Sequence, residues 1–204
     1  MIYSLSVTSD DCIVSLLTVR QRPVTLPFVQ KHLTPLTEIA DWSERFLCRP
    51  HPDLGRKGPV CAFAKRALEK GLFWLTVCAE EQPICDEVCA LVLRYQQWYR
   101  EVAPREDEED AQYKTLLILF PYLRDAIALP LLTTVHKLLA HDFTAKNLLL
   151  GHFYPNNEQP GLWSTTFRPM AAPVPLLAMR HIVQMDHVNA ATMHRVLLGM
   201  MDKR

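Results

Sequence analysis

The 204 residues, 49% hydrophobic and 22% charged, suffice to enclose one sizeable core and are too few to divide readily into two. Lys plus Arg and Asp plus Glu both number 22, so the formal charge is zero and no net field gathers a polyanion; nucleic acid is not expected as a partner. Asp10 and Asp11 stand where a signal peptide is apolar, and no uninterrupted apolar run reaches the roughly 20 residues of a bilayer span, so a cytoplasmic chain without membrane association is expected. The six cysteines are irregularly spaced and are read as reduced thiols rather than a disulfide framework.

Residues 1–28 read as an N-terminal extended arm or hairpin, with Ile13 to Val19 rich in β-branched and aliphatic residues and Pro23 and Pro27 ending it. Residues 29–204 read as a single α+β domain. Thr34 to Phe46 predicts an amphipathic helix, because Leu36, Ile39, Ala40 and Phe46 share one face behind a Thr-Pro start. Pro50, Pro52, Gly55 and Gly58 demand turns. Cys61 to Lys70 predicts a short helix stopped by Gly71, and Leu72 to Val77 a buried strand. A long helix follows Pro83, with Cys85 and Cys89 read as small apolar residues of one face, since no second pair completes a four-ligand metal site. REDEED at 105–110 reads as a solvated loop, and Tyr113 to Phe120 as a second buried strand. Ala126 to His141 is helical despite Pro130, and Leu148 to Phe153 is a third strand. Val174 to Val183 is a strand or a helix, its Pro-Val-Pro entry favouring an extended start, and Asn189 to Met201 is a closing helix. The sum is a small mixed sheet of about four strands covered by helices.

Chemistry is expected in two places. The loop at 50–59 carries His51, Arg56 and Lys57 and runs into a helix whose first turn is expected to hold Cys61, where free N–H groups favour an anion or a thiolate. Its glycines give up conformational entropy on folding, which makes its shape costly to specify unless that shape matters. The stretch FRPMAAPVPLLAMRHIVQMDH sets Arg168, Arg180, His181, Asp186 and His187 in an apolar run. In an extended chain Arg180 and His181 face opposite ways; pairing of Arg180 with Asp186 and a satisfied core His181 is the bland alternative to a site. His136 and His141, five apart, do not share a helix face; His152 lies in the third strand, and His32 and His194 are read as surface or cap residues. No GxSxG, HExxH, GxGxxG or P-loop pattern occurs.

HPDLGRKGPVCAFAKRALEKG, TLLILFPYL, LLLGHFYPNNEQPGL and FRPMAAPVPLLAMRHIVQMD together resemble an uncharacterised bacterial domain family found within biosynthetic gene clusters, over most of Leu47 to His187. The Pro-x-Cys-x-Phe-Ala element is more distantly similar to haem-dependent guanidine N-hydroxylases of the YqcI/YcgG type. That likeness implies a haem b oxygenase of specialised metabolism hydroxylating a nitrogen of a small amino-acid-derived substrate, served by a redox partner. It implies His181 or His51 as axial ligand, with Cys61 ranked below them as a thiolate ligand. Phe63, Trp74, Phe120, Phe153 and Trp163 are then pocket walls, and Arg56, Arg66, Arg168 or Arg180 partners of the propionates. Two positions depart from the resembled pattern: Ala62 where proline usually follows the cysteine, and Gly151-His152-Phe153-Tyr154 where Gly-Gln-Phe-His is usual. Two other readings stand beside this one: a non-catalytic partner or carrier-binding protein, and a cofactor-free enzyme with Cys61 as nucleophile and His51 or His181 as base. The methionines from Met170 to Met201 suit core filler or a homodimer face. All the site readings require the 50–59 loop and the Arg180-His181 pair to meet at one apolar cavity.

Overall fold

A computed structural model describes residues 2–4, 12–21, 26–123, 125–183 and 186. The apolar runs become strands: β1 (Ile2–Ser4), β2 (Cys12–Ser15), β3 (Phe73–Val77), β4 (Thr115–Leu119), β5 (Leu148–Phe153) and β6 (Leu176–His181). They form one six-stranded sheet in the order β1-β2-β3-β4-β6-β5. β3 and β4 are parallel, and every other neighbouring pair is antiparallel. The expected class, α+β with a mixed sheet, is the class observed; the two strands beyond the expected four are the N-terminal hairpin. β2 pairs with β3, so the first residues belong to the domain's own sheet.

Both faces of the sheet are covered, which is why its central strands read as continuous apolar runs rather than alternating ones. On one face lie α5 (Cys85–Glu101) and α6 (Asp125–Ala145), over Trp74, Leu116, Ile118, Leu177 and Met179. The other face takes Phe73, Leu75, Leu117, Leu119 and Leu176, under α1 (Leu16–Gln21), α2 (Pro27–Lys31), α3 (Leu33–Trp42) and α4 (Ala64–Glu69). Alternate residues of the central strands thus go to alternate layers. No described helix is long and apolar enough to cross a membrane.

Several elements differ from expectation, each for a local reason. The β-branched run at 13–19 leaves the strand at Ser15 and continues as α1, because a helical turn buries Leu16 and Val19 on the sheet. Ser15 Oγ accepts from the Thr18 N–H at 3.1 Å at this strand-to-helix junction. The helix expected over 34–46 ends at Trp42 and passes into a π-helical turn, Ser43–Leu47, closed by Cys48 N–H to Ser43 O at 3.1 Å. Cys61 does not start a helix: α4 begins three residues later, at Ala64. Pro130 lies inside α6, and Val174 to Val183 resolves in favour of a strand. The closing helix expected at 189–201 lies outside the described residues.

Candidate functional site

The 50–59 loop is a closed unit. Val60 N–H bonds to Arg49 O and Cys61 N–H to Leu47 O, both at 2.9 Å, while Pro50 bridges to Pro59. At its tip Pro52–Leu54 form a 3-10 turn, with His51 Nδ1 accepting the Asp53 N–H at 3.2 Å. Gly55 follows at φ 77°, and a Cβ there would stand 2.2 Å from the Trp163 carbonyl oxygen. The glycine is therefore required twice, by its backbone conformation and by the close approach of the 161–167 segment. Gly161 N–H closes that segment on Phe167 O at 2.8 Å.

Where the two loops meet, rings from four parts of the chain form a continuous array. Phe153 of β5 lies 5.9 Å from Trp42, and Trp42 lies 5.7 Å from Phe46 across the π-turn. Phe46 lies 5.8 Å from Phe167, which lies 4.8 Å from His51. Phe167 is buried; the other four rings are half-buried, so the array is an apolar surface with one side toward solvent. π-helical turns are concentrated at functional sites, and this one sets Trp42 and Phe46 side by side. It is anchored from outside by Arg20, which donates to Asp41 and to both carboxylate oxygens of Glu44. At its first residue, Ser43 Oγ is buried without a partner among the described residues.

Cys48 and Cys61, opposite one another across the neck of the loop, pack against the same layer. Burial pushes the Cys48 thiol up to about 11, so it is a thiol at neutral pH. Arg180 also faces this layer, close enough to Cys61 for electrostatic interaction. Its guanidinium is committed to Asp186, Nη1 to Oδ2 at 2.7 Å and Nη2 to Oδ1 at 2.6 Å. The ion pair expected as the bland alternative is present.

His181 lies on the opposite face. It alternates with Arg180 along β6 and sits under α5, its ring 5.4 Å from that of Tyr99. The Asn147 carbonyl lies beside its ring and favours its protonated form, while Nε2 is buried without a partner among the described residues. Burial, and then the Lys114 ammonium, hold its pKa down at about 4, so it is neutral. The loop and the Arg180 side chain thus share a face that His181 does not.

A haem pocket needs ligand, walls and cations in one place, and a haem held by His181 does not fit these residues. Trp74 and Phe120 belong to the core beneath α5 and α6, Phe153 to the array on the other side, and Trp163 is 46% exposed. The Phe63 ring contact is with Tyr113, centroids 6.2 Å apart. Arg56 is bonded to the Lys57 and Val60 carbonyls, Arg66 to Glu69, and Arg168 to Glu158 and the Thr165 carbonyl. His51 does stand at the array. With Nδ1 accepting from Asp53, its neutral ring carries the proton on Nε2, and metal ligation through Nε2 would exchange that hydrogen bond for the metal. Among the described residues no group of three or more His, Cys, Asp or Glu side chains is gathered to hold a metal ion.

Sequence reasoning did not single out Trp42, read Phe46 as an ordinary residue of an amphipathic helix face, and missed the meeting of His136 with His152, whose rings are 4.8 Å apart. His32, read as a surface or cap residue, is the cap position between α2 and α3 but is not at the surface. His32 is buried, with Nδ1 3.0 Å from Tyr122 Oη. The trace of the ring array in the sequence was the i,i+4 aromatic pair Trp42 and Phe46 just before the Pro/Gly loop. Compared with known proteins, residues 36–197 match the family described as a domain of unknown function, DUF6875. No curated protein and no solved structure matches the chain.

Proposed function

We propose that this chain, which belongs to the DUF6875 family, binds a flat, aromatic or conjugated small molecule against the ring array of Trp42, Phe46, Phe153, Phe167 and His51. One observation carries the reading: four separated segments, including a π-helical turn and a loop whose Gly55 tolerates no side chain, converge on buried Phe167 and leave Trp42, Phe46, Phe153 and His51 partly exposed around it. A partly exposed aromatic surface of this kind gains by covering its open side with another flat apolar body. His51 Nε2–H at its rim offers a hydrogen bond that orients a polar or anionic edge of the ligand.

The probe is 8-anilinonaphthalene-1-sulfonate, flat and anionic. Saturable fluorescence enhancement at one site is expected, weakened at least about tenfold in Trp42→Ala or Phe46→Ala and unchanged in Leu138→Ala, an exposed apolar position on α6. Enhancement that survives in both ring variants would sink the reading.

Haem-dependent N-oxygenation of a small nitrogenous substrate is a narrower proposal within this one, with His51 rather than His181 as the histidine within reach. Hemin titration tests it: a Soret band that shifts on binding and is lost in His51→Ala supports haem, and a spectrum equal to free hemin removes it.

A further inference from the structure

We propose that His136 and His152 form a two-imidazole clamp for a divalent transition-metal ion, on the sheet face opposite the ring array. The inference is independent of what the array binds. His136 stands on α6 and His152 on β5, the edge strand beneath that helix, with ring centroids 4.8 Å apart and planes at 46°. Strand alternation brings them together: Leu148 and Leu150, four and two residues before His152, are core members under α6, so His152 faces the same helix. Both rings are half-buried, accessible to an ion yet partly withdrawn from water.

The surroundings suit metal ligation better than a structural role. The Leu150 carbonyl lies beside the His136 ring and favours a proton on the nitrogen facing it, which leaves the other nitrogen to accept. A backbone carbonyl on the far nitrogen is the usual outer partner of a metal-bound imidazole. Among the described residues neither ring pairs with a carboxylate, so no ion pair explains their proximity. Burial lowers the pKa of both, with Lys137 adding to the effect, and His152, which also feels the His136 imidazole, falls to about 4. Both rings are then neutral at pH 7, the form that accepts a metal ion without first losing a proton. Tyr154, stacked on His152 at 6.0 Å and 20°, walls a further side. With no third His, Cys, Asp or Glu gathered there among the described residues, the remaining coordination positions fall to water or to a ligand-borne donor.

The test is a Zn2+ titration of the full chain without an affinity tag, followed by NMR of the imidazole nitrogens, which separates imidazole ligation from binding at the thiols. The ring signals of His136 and His152 should shift together and saturate. His136→Ala or His152→Ala should weaken that site at least about tenfold, whereas His141→Ala, at an exposed position on the same helix, should leave it unchanged. The proposal fails if neither ring responds to Zn2+ in the unaltered protein. It fails equally if the double variant, shown by circular dichroism to be folded, keeps the affinity.

Discussion

Lys114 has no exposed surface, yet it keeps its amine fully bonded, Nζ donating to the carbonyls of Tyr99, Val102 and Pro104. Those carbonyls belong to the last turn of α5 and the residues just after it, where a cation both caps the chain and suits the negative end of the helix dipole. The Tyr99 ring lies 4.7 Å below the same ammonium, and Tyr99 Oη donates to the Lys114 carbonyl at 2.7 Å, so helix end and strand entry are locked from both sides. Burial lowers the amine to about 8, which still leaves it mostly charged at pH 7. Lys114→Met keeps the volume and strips three carbonyls of their donor; we expect a loss of about 3 kcal/mol, read from urea midpoints. Nothing in the sequence marks Lys114, a lone lysine before an apolar strand, because its partners come from residues 10 to 15 positions earlier.

At the scale of elements, the 50–59 loop was legible as a structure costly to specify, but the 161–167 segment that makes it so was not. Gly55→Ala meets both a positive φ and the Trp163 carbonyl, so we expect at least about 1 kcal/mol of destabilisation. It should also loosen the dye at the ring array, since His51 and Phe167 come from the two segments the glycine lets touch. A variant as stable as the parent, with unchanged dye binding, would show that the loops need not meet. The π-turn was illegible for another reason: propensity is nearly blind to an i→i+5 insertion, and positions 34–46 satisfy a simple helical pattern. Thr76 Oγ1 and Tyr95 Oη, 3.0 Å apart, and the Gln96–Asp142–Lys146 network likewise join elements distant in sequence, fixing α5 on the sheet and against α6.

Over the whole molecule, two histidines make the fold sensitive to acid. His152 and His181 ordinarily titrate near 6.5 and are held at about 4 by burial, so between those values the unfolded chain binds protons that the folded chain refuses. The stability they contribute is complete above pH 6.5 and is lost as pH falls toward 4. Urea midpoints measured from pH 7 to 4.5 should drop, and the drop should be much smaller in a His152→Gln, His181→Gln variant; equal slopes would place the acid sensitivity elsewhere. What the sequence by itself determined is the α+β class, the central strands and the helices between them, because burial on two faces or one leaves its period in the residues. Strand order, the splitting of Arg180 from His181 between two layers, the ring array and the His136–His152 pair were decided only by tertiary structure. Which residues meet depends on how the crossovers and loops return the chain to the sheet, and residues brought together across a hundred positions leave no periodic trace.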